Sequence, residues 1–273
     1  SGRNSIRFFN ADMQTRAEAH ALLLQDVRRA IAQNEFTLHY QPQVDGDGRL
    51  CGIEALVRWR HPERGLVGPD EFITFSESRG LITPIGRWVM HEACRQLKAW
   101  QNEGLAMVPV AVNLSALEFR QRDVAGELAA VLHATGLEPR FLEIELTESV
   151  LMHHTGQVLE TLNAIKALGV GVTIDDFGTG YSSLAYLKRY PIDKLKIDRS
   201  FVMDTPQSAD DVAIVTAIIQ MGHSLQLKTV AEGVETAEQK ELLHRLGCDL
   251  VQGFLVSAPM DAQATQRWLS PQG

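Results

Sequence analysis

The sequence predicts an α/β fold in which eight strands form a barrel that is covered by helices. Short runs rich in Val, Ile and Leu alternate with longer amphipathic segments along most of the chain, and this alternation is typical of a parallel sheet with helical cover. There are about eight such units, which is the number that closes a (β/α)8 barrel. The length of 273 residues lies within the normal range for one barrel of this kind.

Eight apolar runs bounded by turn residues are the predicted strands. In chain order they are 36–44 (FTLHYQPQV), 52–59 (GIEALVRW), 108–115 (VPVAVNLS), 141–149 (FLEIELTES), 170–177 (VGVTIDDF), 194–201 (KLKIDRSF), 228–235 (KTVAEGVE) and 249–256 (DLVQGFLV).

Helical spacing of apolar residues predicts the covering helices. Before the first strand, positions such as Leu24, Val27 and Ile31 predict an amphipathic helix over 14–33. The helices predicted between the strands cover 84–103, 122–135, 156–168, 209–225 and 236–246.

Composition excludes several classes of function. The net charge of -8 gives no general basic surface for a DNA or RNA polymer. The three cysteines are widely spaced and lack metal-finger spacing, which indicates reduced thiols and a cytoplasmic location. The sequence has no signal peptide and no apolar run near the ~20 residues of a membrane helix, so we expect no membrane contact by this part of the protein.

A polar residue that a buried strand should not carry stands near the end of each apolar run. Because side chains alternate along a strand, Asn113 must face away from Val112 and Leu114. Inward positions near the carboxyl ends of barrel strands line the mouth, where barrel enzymes place their chemistry. The eight residues are Gln41, Glu54, Asn113, Glu145, Asp175, Lys196, Glu232 and Gln252.

The predicted mouth has a large excess of carboxylates over its two basic residues, Lys196 and Arg58. Such groups must either become protonated or hold divalent cations, since buried carboxylates cannot all stay ionised without counter-charge. Carboxylate and amide oxygens suit Mg²⁺ or Mn²⁺ better than zinc. The acidic candidates are Glu54, Glu145, Glu148, Asp175, Asp176, Asp198, Glu232 and Glu235.

The adjacent pair Asp175 and Asp176 suits a site with two metal ions about 3.5–4 Å apart, and such sites commonly cleave phosphodiesters. Lys196 would orient the attacking water or neutralise charge on the phosphoryl oxygens. Arg58 would hold a phosphate with its planar guanidinium. Simpler interpretations stay open: a turn at the aspartates, structural ion pairing for Lys196, and a role for Arg58 that only caps the rim of the barrel. For Glu143, we expect a salt bridge lower in the barrel.

The motifs as a set resemble those of EAL domains, the bacterial cyclic-di-GMP phosphodiesterases, over roughly 30–260. The resemblance implies a modified TIM (β/α)8 barrel with one antiparallel strand. It also implies Mg²⁺- or Mn²⁺-dependent hydrolysis of cyclic di-GMP to linear pGpG, with two ions, in bacterial second-messenger signalling. The motifs are EALVRWRHP at 54–62, YQPQV at 40–44, VNLS at 112–115, ELTES at 145–149, DDFGTGYSSL at 175–184, KIDRSFV at 196–202, AEGVET at 231–236 and QGF at 252–254.

The resemblance also implies a role for each matching residue. The metal ligands would be Glu54, Asn113, Glu145, Asp175 and, for the second ion, Asp176. The catalytic group would comprise Lys196, Glu232 as a further site glutamate, and Glu148, which would hold the loop after Asp176. The substrate-binding group would comprise Gln41, Arg58 and Gln252, the last matching a glutamine that positions a water or metal.

Residues 1–13 are predicted to be a linker or the tail of a preceding domain, and residues 14–273 the barrel. The segment SGRNSIRFF resembles the end of a GGDEF (diguanylate cyclase) domain, which makes the helix over 14–33 a connector. The resemblance further implies a homodimer through a face near residues 176–190.

Two competing functions remain. A receptor would bind cyclic di-GMP without cleaving it, but it would not need Lys196 or the paired aspartates. An enzyme that forms a Schiff base would use Lys196 as the nucleophile. The surplus of carboxylates disfavours this second alternative, because it keeps a lysine protonated.

Overall fold

The computed structural model describes residues 11–152, 156–180 and 187–270. The predicted linker therefore lies outside the described residues except for its last three, which belong to the first helix. Residues 181–186 of the loop after Asp176 also lie outside them. The described residues divide into two compact units: those of Ser1–Thr37 and Arg58–Ile85, and those of Leu38–Val57 and Gly86–Gly273.

Eight strands of the described residues close into a barrel, since β1 pairs with both β9 and β2. Strand β1 runs antiparallel to β9, with Val44 opposite Val251, while the other neighbours in the barrel, from β2 through β4 to β9, pair in parallel. The predicted barrel with one antiparallel strand is therefore confirmed. The strands are β1 (Phe36–Val44), β2 (Leu50–His61), β3 (Gly65–Val67), β4 (Val110–Leu114), β5 (Leu142–Thr147), β6 (Gly171–Phe177), β7 (Lys194–Ile197), β8 (Lys228–Ala231) and β9 (Leu250–Val251).

The helices follow the strands in the order that the sequence predicts, with additional short ones. They are α1 (Ala11–Gln33), α2 (Ile73–Ser78), α3 (Ile82–Asn102), α4 (Ala116–Gln121), α5 (Val124–Thr135), α6 (Glu148–Met152), α7 (Gly156–Ala167), α8 (Arg199–Val202), α9 (Ala209–Ser224), α10 (Ala237–Leu246) and α11 (Ala262–Leu269). Among the described residues, none of the helices combines the length and apolar character needed to cross a membrane.

The first unit contains α1, β3 and α2, and it is organised around aromatic rings. The ring of Phe72 lies 5.6 Å from Phe36 and 5.8 Å from Trp59. The indole Nε1 of Trp59 donates to Glu35 at 2.9 Å, which satisfies its one polar atom in a buried position. Strand β3 pairs with the end of β2, where Val67 lies opposite Trp59, so it is an extra strand outside the barrel.

In the second unit the apolar core lies on the outer face of the barrel strands. Val112, Ile144, Ile174 and Leu195 are all buried, and each is next in sequence to a polar residue of the predicted mouth. Because neighbouring side chains on a strand face opposite ways, the apolar set packs outwards and the polar set faces the interior. The barrel interior is thus available for a polar site.

Some strands end earlier than predicted. Strand β8 stops at Ala231 and β9 at Val251, although apolar residues continue beyond both. Gly233 has a φ of 67° and Gly253 a φ of 158°, angles that glycine adopts at little cost and that end the extended conformation. Strand β3 and helices α2, α4, α6, α8 and α11 were not predicted, since segments this short show too little periodicity.

Candidate functional site

The ammonium group of Lys196 lies at the centre of a buried cluster of carboxylates, and its side chain is only 1% exposed. The carboxylates come from β2, β5, β6 and the residue after β8, so the fold brings together positions distant in sequence. From Lys196 Nζ the distances are 2.7 Å to Glu232 Oε1, 2.8 Å to Glu145 Oε2, 3.2 Å to Glu54 Oε2 and 3.3 Å to Asp175 Oδ2.

A bulge in β6 places both aspartates of the pair at this cluster. Ile174 lies opposite Leu195 and Phe177 opposite Ile197, so β6 has one more residue than β7 between these two pairings. Asp176 has a φ of 54°, in the left-handed region. A regular strand would point successive side chains to opposite faces, but a bulge redirects one of them. Consequently, Asp175 and Asp176 both offer a carboxylate oxygen within 4.8 Å of one on Glu232.

Amide side chains orient the carboxylate of Glu54. Asn113 Nδ2 donates to Glu54 Oε1 at 2.6 Å, and Gln252 Nε2 donates to Glu54 Oε2 at 2.7 Å. The same Nε2 donates to Gln41 Oε1 at 2.9 Å, while Gln252 Oε1 accepts from Gln43 Nε2 at 2.9 Å. Gln41, Gln43 and Gln252 are buried, so this amide network fixes Glu54 in one orientation.

The ammonium of Lys196 stays protonated in this environment. Burial lowers the pKa of Lys196, but the surrounding carboxylates, led by Asp175 and Glu145, outweigh it and hold the pKa well above its ordinary value. For Glu54, burial raises the pKa, but Lys196 and the amide donors Gln252 and Asn113 outweigh burial and lower it. A protonated lysine is a poor nucleophile, which argues against Schiff-base chemistry.

Three other carboxyl groups resist ionisation. Burial, then the charges of Glu54 and Asp175, raise the pKa of Glu145 well above its ordinary range. Burial also raises the pKa of Glu232 to about 8, helped by Asp175 and Glu54 against the opposing effect of Lys196. For Asp176, burial and then the neighbouring carboxylate of Asp175 raise the pKa to about 6. One ammonium is therefore too little positive charge for this cluster.

The acidic cluster, as we call Glu54, Glu145, Asp175, Asp176 and Glu232, fits divalent cations. Oxygens of Glu54, Glu145 and Asp175 lie within 4.8 Å of one another, and so do those of Asp175, Asp176 and Glu232. Asp175 belongs to both groups, as a carboxylate shared by two ions would. In addition, Glu145 Oε1 is buried and makes no hydrogen bond to any described residue, so an acceptor remains available for a cation. Asn113 borders the cluster from β4.

Glu148 holds the backbone just after the aspartates. Its Oε2 accepts from the N–H of Gly178 at 3.0 Å and from the N–H of Gly180 at 3.3 Å. Glu148 is buried at the start of α6. It therefore contacts the start of the loop that follows Asp176, while its catalytic importance stays a prediction.

Three residues singled out in the sequence remain: Arg58, Asp198 and Glu143. Arg58 belongs to the first unit and is half-buried on β2, so its substrate role stays a prediction. Asp198 lies just before α8, where its carboxylate accepts from the N–H of Ser200 at 3.0 Å. After burial and Asp175, its charge is a further cause of the raised pKa of Asp176, so it acts on the site. The salt bridge expected for Glu143 is confirmed, with Lys194 Nζ 2.8 Å from Glu143 Oε2.

Sequence reasoning missed Gln239, which supports the loop that carries Glu232. Its Oε1 accepts from the N–H groups of Glu235 at 2.8 Å and Thr236 at 3.0 Å. Its Nε2 donates to the carbonyls of Val202 and Met203, each at 3.1 Å. The signal was present, since a threonine followed three residues later by glutamine is a capping box, which α10 has.

The chain is similar to known proteins in sequence and in fold. The family described as "EAL domain" matches residues 24–259. A solved structure named "PaMucR Phosphodiesterase, c-di-GMP complex" superimposes with a TM-score of 0.86 at 48% sequence identity, covering 89% of this chain and 99% of that one.

Two curated proteins of Pseudomonas aeruginosa are also similar. The bifunctional diguanylate cyclase/cyclic di-GMP phosphodiesterase MucR is 48% identical over 96% of this chain. The cyclic di-GMP phosphodiesterase NbdA is 44% identical over 98% of it. The chain spans 38% of the length of MucR and 34% of the length of NbdA, so it corresponds to about a third of each relative.

Proposed function

This chain belongs to the EAL domain family, and on that basis we propose that it is a metal-dependent phosphodiesterase that hydrolyses cyclic di-GMP to linear pGpG. The names of MucR and NbdA and the name of the solved PaMucR complex support this activity and this ligand. The observation that carries the proposal is the contact of Lys196 with four carboxylates from four parts of the barrel.

We propose that the acidic cluster and Asn113 hold two Mg²⁺ or Mn²⁺ ions. Carboxylates flanked by an amide are the oxygen ligands that these ions prefer. Bound there, the ions would polarise the phosphoryl oxygens and lower the pKa of the attacking water. Two observations support two ions rather than one. Glu145 Oε1 has no hydrogen-bond partner among the described residues, and Asp175 belongs to both groups of closely spaced carboxylates.

The protein's own groups would then bind and orient the reactants. Hydrolysis forms a bond from water oxygen to phosphorus and breaks the bond from phosphorus to O3′, which leaves as a hydroxyl after gaining a proton. Lys196 would hold the water and stabilise charge on the phosphoryl oxygens, since its ammonium is fixed before substrate arrives. Glu232, at 2.7 Å from that ammonium, would keep Lys196 aimed at the phosphate.

Substrate binding would involve Gln41, Arg58 and Gln252. Gln252 donates to both Glu54 and Gln41, so a substrate contact at either amide would also act on the acidic cluster through Gln252. Arg58 would bind a phosphate through its guanidinium. Glu148 would keep the loop after Asp176 in place through Gly178 and Gly180.

The decisive experiment is to incubate the chain with cyclic di-GMP and to separate the products by chromatography. We expect pGpG with Mg²⁺ or Mn²⁺ and unchanged cyclic di-GMP with a chelator. Nucleotide that binds to the protein, as measured by equilibrium dialysis, but is never linearised would instead make the chain a receptor. Turnover that is indifferent to chelator would overturn the assignment of the acidic cluster.

We propose three further features of the protein: its domain organisation, its oligomeric state and its location. Residues 1–13 would link a preceding domain, as in a GGDEF–EAL tandem, to the barrel at 14–273, which contains the family match at 24–259. The domain would act as a homodimer, which light scattering of the purified chain would test. A cytoplasmic location agrees with the free thiols of Cys51, Cys94 and Cys248.

A further inference from the structure

A second buried ion pair lies inside the barrel beneath the acidic cluster. Lys194 Nζ is 2.8 Å from Glu143 Oε2, and the two side chains are 8% and 10% exposed. Glu143 precedes Glu145 on β5 by two residues, and Lys194 precedes Lys196 on β7 by two residues. Side chains two apart on a strand share a face, so this lower pair faces the same interior as the pair above it.

Glycine on the intervening strand lets the lower pair form. Gly171 on β6 lies opposite Glu143, and a Cβ there would be only 2.6 Å from Glu143 Cγ. Because Gly171 has no side chain, Glu143 passes over β6 and reaches Lys194 on β7. Any larger residue at this position would displace the Glu143 side chain.

The ion pair with Glu143 neutralises Lys194, a second lysine close to the acidic cluster, which already contains Lys196. Positions two apart on a strand are separated by about 6.6 Å, which is close to the length of a lysine side chain. Without Glu143, the Lys194 ammonium would be left unpaired in a buried position, and the carboxylates of the acidic cluster lie one step further along the same face of the barrel strands. Glu145 Oε1, which has no hydrogen-bond partner among the described residues, would accept it.

We propose that Glu143 is a positioning residue that holds Lys194 away from the acidic cluster and so preserves the affinity of that cluster for divalent cations. A second ammonium among these carboxylates would replace a cation rather than assist it. The proposal rests on the proposed function, because it assumes that the acidic cluster binds cations. It gives Gly171 a role as well, since the ion pair needs the space above this glycine.

The test compares Mn²⁺ binding, measured by calorimetry, in the wild type, Glu143→Met, Lys194→Met and the double variant. We expect Glu143→Met to weaken Mn²⁺ binding on the order of tenfold, because Lys194 then competes for the carboxylates. The double variant should regain wild-type affinity, since the competing ammonium is gone. Lys194→Met alone should bind Mn²⁺ at least as tightly as the wild type.

The outcomes separate this inference from a purely structural ion pair. If Glu143→Met lowers the melting temperature but binds Mn²⁺ like the wild type, or if the double variant binds as weakly as Glu143→Met, the inference is wrong. A wild type that binds no Mn²⁺ would overturn both the inference and the proposed function. Should Glu143→Met not fold, Gly171→Ala displaces Glu143 without changing charge. It should weaken Mn²⁺ binding unless Lys194→Met is also present, and unchanged binding in Gly171→Ala would overturn the inference.

Discussion

The backbone N–H of Asp176 donates to Oδ1 of Asp175 at 2.9 Å, within the bulge that turns both carboxylates to the same site. This hydrogen bond ties the orientation of the first aspartate to the unusual backbone of the second. The φ of 54° at Asp176 is a conformation that Asn and Asp adopt more readily than most residues.

Substitution of Asp176 should therefore separate backbone strain from cation binding. At neutral pH in chelator, Asp176→Asn should be at least as stable as the wild type, because burial and then Asp175 raise the pKa of Asp176 to about 6 and so disfavour its charged form in the folded state. It should nevertheless slow hydrolysis about 100-fold, because one charged ligand is lost. Asp176→Ala should cost about 1 kcal/mol more in stability. Thermal unfolding and Mn²⁺ titration check both expectations; equal Mn²⁺ stoichiometry in Asp176→Asn and wild type would contradict the ligand role.

Lys196→Ala should lower kcat far more than it changes the affinity for cyclic di-GMP. The ammonium contacts four carboxylates, and in the proposed function it stabilises charge that develops during the reaction, so we expect a loss of about 10²–10³ in kcat. Steady-state kinetics and a separate binding measurement under non-turnover conditions give the two effects. A large loss of affinity with an unchanged rate would assign Lys196 to substrate binding instead.

Glu54→Gln should remove turnover and weaken cation binding, because it replaces a charged ligand while keeping the side-chain shape. The matched control is Glu103→Gln, which changes an exposed glutamate just after α3 and should leave turnover and cation binding unaffected.

Calcium should inhibit the wild type, since its larger and looser coordination does not suit a site for smaller ions. Rapid hydrolysis in calcium alone would count against the proposed site.

Cation binding should stabilise the protein more at high pH than at low pH. The pKa of Glu232 is raised to about 8 in the folded protein without cations. Between its ordinary pKa and pH 8, Glu232 therefore keeps its proton in the folded state but loses it in the unfolded chain. The cation-free protein loses stability as pH rises through this range, and a cation that replaces the proton restores that stability.

The measurement is the rise in melting temperature on adding saturating Mg²⁺. We expect this rise to be about 2–4 °C greater at pH 8.5 than at pH 6. Glu232→Gln, which cannot titrate, should reduce that difference. A rise that is equal at both pH values in the wild type would show that Glu232 does not exchange a proton for the cation.

Gln239→Leu should destabilise the protein by about 1–3 kcal/mol, because it leaves buried backbone groups without partners. It should also lower kcat, since the segment that begins with Glu232 loses its support from α10. Gln239→Glu keeps the acceptor for the N–H groups of Glu235 and Thr236 and should lose less stability. Chemical denaturation and kinetics measure both; wild-type kcat in Gln239→Leu would show that the support is structural only.

The strands and most long helices could be predicted because their signals are local. Apolar runs of β-branched residues and helical spacing depend on neighbours within a few positions, so β5 and α9 lie where the sequence indicates. Elements such as β3, with three residues, have too few positions for a pattern to appear. The polar residues at strand ends could also be predicted, because alternation assigns each to one face.

The contacts among those residues could not be predicted in the same way. Lys196 and Glu145 are 51 residues apart, and Gln252 and Glu54 are 198 apart, so their meeting depends on how the strands are staggered around the barrel. The extra residue in β6 is invisible in the sequence, because DDF continues a strand pattern without interruption. The bridge from Gln43 to Gln252 escaped notice for the same reason.

Short-range periodicity alone specifies a strand–helix barrel with acidic and amide residues at the carboxyl ends of its strands, because both features can be read from neighbouring positions in the chain. The identity of the carboxylates around Lys196, the bulge that turns Asp175 and Asp176 to one site, and the path of Glu143 past Gly171 to Lys194 emerge only when the barrel closes. These relationships depend on register between strands, which is set by packing of the whole barrel rather than by any local segment.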